Sequence, residues 1–274
     1  MKRIFLMLSL CVSVLLCASA REMVYHVGPF DKLSQMGDID IVYKNVPDSA
    51  GMAVYHSDTD FSDAIEITNN KGKLSVKEIP NHDLGKIPVL HVYSEYLSQV
   101  KSEGNSTVEA RLSTTTPVFS VNLVGNGRII CEGVKAPRVS ASITTGNGTV
   151  ALRGKCQEAS FKLTGSGVIQ ADGLVADDVK CTVLGTGSIG CDAVKSLDVR
   201  GVGTTKIYYK GDPSIKKVGG AKISPLQEVS VEELQPRSYE DDEPTEVSSE
   251  EEDEDDETDD ELDESEEEEE ETED

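Results

Sequence analysis

The stretch that decides the fold is LVGNGRIICEG, residues 123–133, which recurs as TTGNGTVALRG at 144–154 and as LTGSGVIQADG at 163–173. Each copy contains two glycines separated by one residue, and apolar and polar residues alternate after them. Alternation with a period of two is typical of a half-buried β-strand. Glycine suits a bend between strands because it adopts positive φ without a Cβ clash and lets backbones approach closely. The stretch therefore predicts a unit of strand, Gly-x-Gly corner and strand.

The unit recurs six times through the middle of the chain. Its first glycines are Gly104, Gly125, Gly146, Gly165, Gly185 and Gly201, at spacings of 21, 21, 19, 20 and 16 residues. Two positions before the first glycine, the apolar residues are Leu123, Leu163, Val183 and Val199. Four positions after it, they are Val108, Ile129, Val150, Ile169 and Ile189. A polar turn such as EGVKAPR or ADGLVADD is predicted to complete each unit.

The repeat length determines how the units must associate. A unit of about 20 residues cannot bury an apolar face alone, so the copies must stack. Stacked at the strand spacing of about 4.8 Å, they form a β-solenoid whose interior is filled by columns of like residues. A β-sandwich is the alternative, but it does not require the same residue type at the same offset in consecutive units. We therefore predict an all-β solenoid of about 20-residue coils with Gly-x-Gly corners over residues 21–224.

The glycines in CTVLGTGSIGCD, residues 181–192, also have the G-x-G-x-x-G spacing of a dinucleotide-binding loop. That motif must open a helix within a βαβ unit. Here the following CDAVKSLDV begins another strand repeat, and Asp198 lies too near to be the ribose-binding acid. The repeat therefore predicts corner glycines, and no nucleotide site, at this position.

The first part of the chain, about residues 24–95, is less regular. Strands are predicted in DIDIVYK, GMAVYHS, AIEIT, KLSVK and VLHVYSE, joined by turns rich in Asn, Gly, Asp and Pro. The sequence Gly37-Asp-Ile-Asp-Ile is similar to the coil pattern, which favours the start of the same solenoid with longer insertions. A small separate β layer is the alternative, and the sequence leaves both open.

The two ends of the chain differ from the middle. Residues 1–20, MKRIFLMLSLCVSVLLCASA, have the basic start, apolar core and small-x-small end of a cleaved secretory signal. This predicts export to the periplasm or cell surface of a Gram-negative bacterium, with no transmembrane segment in the mature protein. Residues 240–274 contain 26 of the 51 Asp and Glu residues and no Lys or Arg, which predicts a disordered acidic tail after a linker at 225–239.

The acidic tail carries almost all of the formal charge of −25. It is interpreted either as a solubilising brush or as an arm for a basic partner or for loosely held divalent cations. The remainder of the chain is close to neutral, so a broad basic surface for nucleic acid is not predicted.

These features together resemble the auto-transporter adhesin head GIN family, an exported group common in Bacteroidetes. The resemblance covers about residues 28–224 and rests on the export signal, FDKLSQMGDIDIVYK, DAIEITNNKGKLSVK, the G-x-G coils, KIYYKGDPSI and VGGAKIS. Its most specific part is YYKGDP, residues 208–213. It implies a right-handed β-helix-like fold and a cell-envelope location, and it supplies no catalytic residues. The chain departs from the family pattern at Thr204-Thr205, where an acidic residue is more usual, and in its acidic tail.

Four cysteines follow the predicted signal. Cys131 and Cys191 share one offset but lie three coils apart, about 14 Å at the strand spacing, which exceeds the Cα separation of about 7 Å that a disulfide allows. They are predicted to be small core residues. Cys156 and Cys181 fall at different offsets, and a bridge between them is left open. No CxxC pair is present, so a zinc or redox site is not predicted.

The histidines and carboxylates of the sequence do not have the spacing of a catalytic or metal site. His26, His56, His82 and His91 all precede the clear repeats and lack the three- or four-residue spacing of a helical metal site. Glu132, Arg153, Asp172 and Asp192 share an outward offset, which predicts a surface ion-pair row. Asp177 and Asp178 are assigned to a polar turn. A polysaccharide-active enzyme is therefore the least favoured reading.

The sequence thus predicts a non-catalytic envelope protein with no catalytic, cofactor-binding or metal site. The favoured function is adhesin-like binding of an envelope glycan or protein by the solenoid wall, and the alternative is a structural scaffold without a ligand. Binding predicts an exposed aromatic or charged stripe, for which Tyr208 and Tyr209 are the adjacent aromatics in the coils. The absence of Trp weakens a sugar-stacking function.

Overall fold

The computed structural model describes residues 21–80 and 83–226, and these form strands and one short 3-10 turn, Pro47–Ser49. The strands are β1 Glu22–His26, β2 Lys32–Met36, β3 Ile41–Asn45, β4 Met52–His56, β5 Ile65–Asn70, β6 Lys73–Glu78, β7 Leu90–Ser94, β8 Gln99–Gly104, β9 Thr107–Arg111, β10 Val118–Gly125, β11 Arg128–Ile143, β12 Thr149–Leu163, β13 Val168–Gly185, β14 Ser188–Gly203, β15 Lys206–Lys210, β16 Ser214–Gly219 and β17 Lys222–Pro225.

The predicted stack of coils is confirmed by the strand register. β10 to β15 pair in parallel, each with the strand one coil away, so equivalent repeat positions become neighbours. The offset four residues after the first glycine forms one continuous inward column, and every member is fully buried: Val108, Ile129, Val150, Ile169, Ile189 and Ile207. The chain is therefore a β-solenoid with an aliphatic interior.

The strands that precede the glycine corners supply further columns to the same core. The largest side chains there are Phe119 and Phe161, and Phe161, which is 1% exposed, lies between Ala141 and Cys181 in the ladder. Small neighbours on both sides of a phenylalanine leave space for its ring, as close packing requires. The interior is therefore filled layer by layer.

The predicted polar turns are wrong. EGVKAPR lies inside β11 and ADGLVADD lies inside β13. The strands continue there through register irregularities, and Val134, Ala136, Leu174 and Ala176 are buried. Stacked neighbours provide backbone partners for these segments, so a polar composition does not make them turns.

The glycine corners bring the backbones of successive coils very close together. A Cβ added at Gly125 would lie 2.5 Å from the carbonyl oxygen of Gly104, and one at Gly146 would lie 2.3 Å from that of Gly125. Real Cβ atoms do not approach an oxygen this closely, so the corner requires glycine for steric reasons in addition to φ. β14 begins directly after the corner at Gly187 as a strand, which excludes the helix that a dinucleotide loop needs.

The prediction that Gly201 is the first glycine of the sixth corner is wrong. In the ladder Gly185 pairs with Gly203, while Gly201 pairs with Val183. Gly203 is therefore the first glycine of that corner, and Thr205 occupies the second position. The buried hydroxyl of Thr205 donates a hydrogen bond of 2.8 Å to the carbonyl oxygen of Gly185, which stabilises the corner without a second glycine.

The first part of the chain belongs to the same solenoid, but its stacking order differs from its chain order. All five predicted segments contain strands, β3 to β7. β2 pairs in parallel with both β6 and β8, and β3 pairs in parallel with both β7 and β9. The coil at 32–45 therefore stacks between two coils that come later in the chain. One is formed by β6 and β7, and the other, formed by β8 and β9, begins the regular repeats. The antiparallel strands β5 and β4 pair with β6 and β7 and, together with β1, cover this end of the stack.

The predicted signal peptide at 1–20, the acidic tail at 240–274 and His82 lie outside the described residues, as does the linker beyond Leu226.

Candidate functional site

A groove of about 580 Å³ crosses the outer wall of the solenoid. We call it the wall groove; its lining residues are Val118, Arg138, Val139, Ser140, Glu158, Ala159, Ser160, Asp178, Val179, Lys180, Ser196 and Asp198. They come from five successive strand segments, so the groove follows the stacking direction.

The two rims of the wall groove are outward-facing rows of side chains. One row, in ladder order, is Val118, Arg138, Glu158, Asp178 and Ser196, and the other is Ser140, Ser160, Lys180 and Asp198. Residues two apart on a strand point to the same face, so the two rows run side by side. Val139, Ala159 and Val179 lie between them, and because their side chains face the core they line the groove mainly with backbone atoms.

The charged groups of the wall groove carry both signs. Arg138 and Lys180 are exposed cations, and Glu158 and Asp178 are exposed anions. The Asp178 carboxylate accepts a 2.5 Å hydrogen bond from the Ser196 hydroxyl. The groove is therefore polar at its rims without a dominant charge.

Asp198, at one end of the wall groove, is held by an arginine on the same strand. The Arg200 guanidinium donates two hydrogen bonds to its carboxylate, from Nε at 3.2 Å and from Nη2 at 2.9 Å. This bonding lowers the pKa of the Asp198 carboxyl below its ordinary value. Asp198 is therefore an anion at neutral pH with a fixed orientation.

The predicted ion-pair row is confirmed in part. Arg153 Nη1 lies 3.9 Å from Glu132 Oε1. Asp172 pairs instead with Lys210, two coils along the stack, at 3.8 Å from Nζ. These are exposed pairs, which contribute little net energy. Asp177, assigned to a turn from the sequence, lies in β13 and accepts a 3.2 Å hydrogen bond from Lys195.

The structure places His56 and His91 together at the amino-terminal end. Their ring centroids lie 6.5 Å apart with an edge-on geometry, and His56 Nε2 lies 3.9 Å from Glu22 Oε1. Burial, with Lys44 and His56 nearby, lowers the pKa of His91. His26 is exposed. In the described ranges, no three side chains of His, Cys, Asp or Glu are placed to hold a metal ion.

The four cysteines of the described chain are free thiols. Cys131 and Cys191 lie in one buried column, separated by Leu152 and Ala171, as predicted. The bridge left open between Cys156 and Cys181 is not formed. Cys156 is half-buried and lies in the ladder between Ala136 and Ala176, whereas Cys181 follows Phe161 in a different column.

Tyr208 and Tyr209 do not form an aromatic binding stripe. Both are half-buried, and Tyr209 packs against the core. Sequence reasoning did not find the wall groove, although Ser120, Ser140 and Ser160 recur at about 20-residue intervals and are paired in the ladder. That recurrence of small outward residues was the available signal.

A parallel β-solenoid with a polar wall groove defines the class of this protein. The family model described as "Putative auto-transporter adhesin, head GIN domain" matches residues 29–213. The chain belongs to that family, which confirms the resemblance drawn from the sequence. No curated protein matches the chain.

Solved structures of proteins from Bacteroidetes share the fold. A "putative adhesin" from Bacteroides fragilis is 24% identical, with a TM-score of 0.69 and coverage of 76% of this chain and 98% of its own. A "putative lipid binding protein" from Parabacteroides distasonis is 19% identical, with a TM-score of 0.59 and coverage of 77% and 98%. A "putative adhesin" from Parabacteroides merdae is 21% identical, with a TM-score of 0.59 and the same coverage. In the part of the chain that the structure describes, no helix has the length and apolar character to cross a bilayer.

Proposed function

We propose that this protein is an exported, non-catalytic, adhesin-like binding protein of the cell envelope that holds an extended ligand in the wall groove. The observation that carries the proposal is the groove itself, which continues across five successive strand segments and combines apolar surface with charged and hydroxyl side chains. Successive coils lie about 4.8 Å apart, so the groove is about 20 Å long. It suits an extended polymer that makes several weak contacts.

A polypeptide segment fits the wall groove better than a glycan does. The lining contains no aromatic side chain, and sugar rings are commonly bound by stacking on aromatic rings. It does contain two cations, three anions, three serines and the exposed apolar Val118, which match the mixed side chains of a peptide. An envelope glycan is the second candidate ligand.

The carboxylates near the wall groove support a non-catalytic role. A general acid and base need paired groups with shifted pKa values that converge on one point. Asp198 is instead fixed as an anion by Arg200, and Asp178 accepts a hydrogen bond from Ser196. The adhesin name of the family agrees with this role.

The proposal is tested by filling the wall groove with two arginines. Ser140→Arg combined with Ser160→Arg places long side chains over the groove without changing an inward residue. The matched control is Thr144→Arg with Thr164→Arg, which changes the residues that directly follow the same two strands and lie outside the groove. Labelled full-length protein is applied to arrays of decapeptides and of bacterial glycans.

Wild type and the control variant are expected to bind the same set of peptides, and the groove variant is expected to lose at least about tenfold in affinity. Binding to glycans alone would favour the second candidate. An absence of binding to both arrays would favour the scaffold function. Equal loss in both variants would contradict the groove as the site.

Export is part of the proposal and is tested separately. The secretory signal is predicted from the sequence of residues 1–20, with cleavage after Ala20. Amino-terminal sequencing of protein recovered from the envelope fraction is expected to begin at Arg21. Recovery of the chain from the cytoplasm with Met1 intact would contradict it.

A further inference from the structure

The carboxy-terminal coil of the described chain has an open edge. β16 pairs with β14 and β17 pairs with β15, and no other described strand pairs with either of them. Their outer edges therefore present backbone N–H and C=O groups without a ladder partner among the described residues. All six residues of β16 are exposed. An edge of this kind is a template for the addition of a further strand.

The side chains of this edge give it a definite chemistry. β16 and β17 contain Lys216, Lys217 and Lys222 and no acidic residue. Ile215 is 43% exposed and Val218 is 57% exposed. No described residue forms an ion pair with Lys217. The edge is therefore basic, with two exposed apolar side chains.

The register shows which kind of strand would fit. Ile215 continues the buried column of Leu197, and Lys217 continues that of Val199, so both occupy inward positions at the end of the core. Lys216 and Val218 occupy outward positions. A strand added in parallel would place an apolar residue beside Ile215, acidic residues beside Lys216 and Lys217, and an apolar residue beside Val218.

The opposite end of the solenoid is covered differently. There, the antiparallel strands β5 and β4 add to β6 and β7, and β1 adds to β4. A solenoid end without such a cap leaves its last core layer exposed. The lysine at the inward position of β16 also discourages pairing of two identical edges, because like charges would meet.

We propose that the edge of β16 takes up an extended acidic segment of a partner protein by β-strand addition. The segment has the pattern apolar, acidic, acidic, apolar. Its backbone extends the ladder, and its two carboxylates pair with Lys216 and Lys217. This site lies beside one end of the wall groove, because Lys216 is the ladder neighbour of Asp198.

The test uses a labelled decapeptide containing Val-Glu-Glu-Val and the full-length protein, with binding followed by fluorescence anisotropy. Lys216→Glu combined with Lys217→Glu is expected to weaken binding at least about tenfold, since two charge pairs become repulsive. The matched control, Lys135→Glu with Lys155→Glu, changes two exposed lysines paired in the middle of the ladder and is expected to change affinity less than about twofold.

Two further measurements separate strand addition from simple charge attraction. The same decapeptide with alternate N-methylated amides is expected not to bind, because it cannot complete the ladder. Hydrogen exchange of those amides of residues 214–219 that point away from β14 is expected to slow at least about tenfold when the unmodified peptide is present.

Three results would overturn the proposal. Equal binding of the methylated peptide would show that the ladder is not extended. Equal weakening by both lysine variants would show that the contact is not at this edge. Protection, without peptide, of those amides of 214–219 that point away from β14 would show that a second copy, or another part of the chain, occupies the edge; dependence of that protection on protein concentration would identify the second copy.

Discussion

Alanine in place of Gly146 tests the close approach of the coils. The matched control is Gly85→Ala. The two glycines have nearly the same φ, 84° and 77°, but different surroundings. An added Cβ at Gly146 would lie 2.3 Å from the carbonyl oxygen of Gly125, whereas one at Gly85 has nothing within 4 Å. The pair therefore separates the conformational cost of alanine from the steric cost of the corner.

The expected magnitudes follow from these surroundings. Alanine in the left-handed region costs about 1–2 kcal/mol, and both variants lose that amount. At Gly146 the neighbouring coil must also move by about 1 Å. This movement weakens the hydrogen bonds from Gly125 N to Thr145 O, at 3.1 Å, and from Ser166 N to Gly146 O, at 3.0 Å. Each contributes about 1 kcal/mol. We expect a loss of about 3–4 kcal/mol for Gly146→Ala and of about 1–2 kcal/mol for Gly85→Ala.

The assay is urea denaturation followed by far-ultraviolet circular dichroism, which reports the β-structure of the solenoid. The free energy of unfolding is extrapolated to water for wild type and both variants, and the denaturant slopes are compared. Equal losses in the two variants, within about 0.5 kcal/mol, would refute the reasoning, because the carbonyl contact would then carry no cost.

Three further predictions concern the core, the thiols and one acid. Phe161→Ala should lower the free energy of unfolding by about 3–5 kcal/mol in the same urea assay, because it leaves a cavity in a buried column. Burial raises the pKa of Cys156 to about 11, so iodoacetamide at pH 7.5 should label this half-buried thiol slowly and the three buried thiols more slowly still, as counted by mass spectrometry. The lowered pKa of Asp198 stabilises the fold above the ordinary carboxyl value of 3.8; the stability difference between wild type and Asp198→Asn should therefore disappear as the pH falls through the lower folded pKa.

Each of these has its own control. The neighbouring exposed Lys162→Ala should change stability by less than about 0.5 kcal/mol, and a comparable loss there would contradict the core assignment. In urea all four thiols should react at similar rates; rapid labelling of Cys131 in the folded protein would contradict its burial. A difference for Asp198→Asn that persists at about pH 2 would contradict the proposed role of Arg200.

Much of the coil geometry was predictable from local pattern. The column of Ile129, Val150 and Ile169 was predicted because apolar residues at one offset in successive repeats must meet once the repeats stack. The separation of Cys131 from Cys191 followed from the same counting. Corner glycines were recognisable because their steric requirement recurs at nearly constant intervals.

The errors have a common physical origin in contacts between coils. EGVKAPR has the composition of a turn, but Val134 and Ala136 are buried because neighbouring coils supply their backbone and packing partners. At the sixth corner, Gly201 and Gly203 are equally plausible from the sequence. The ladder selects Gly203, and Thr205 then satisfies the Gly185 carbonyl.

The sequence by itself determined the winding of the chain, because period-two alternation and glycine corners are local and are repeated in every coil. Tertiary structure alone decided that the coil at 32–45 stacks between β6–β7 and β8–β9, since no local signal specifies pairing across an insertion. It also created the wall groove, in which Ser140 and Ser160 lie 20 residues apart in sequence and are direct neighbours in the ladder. A surface of this kind exists only after the stacking register is fixed.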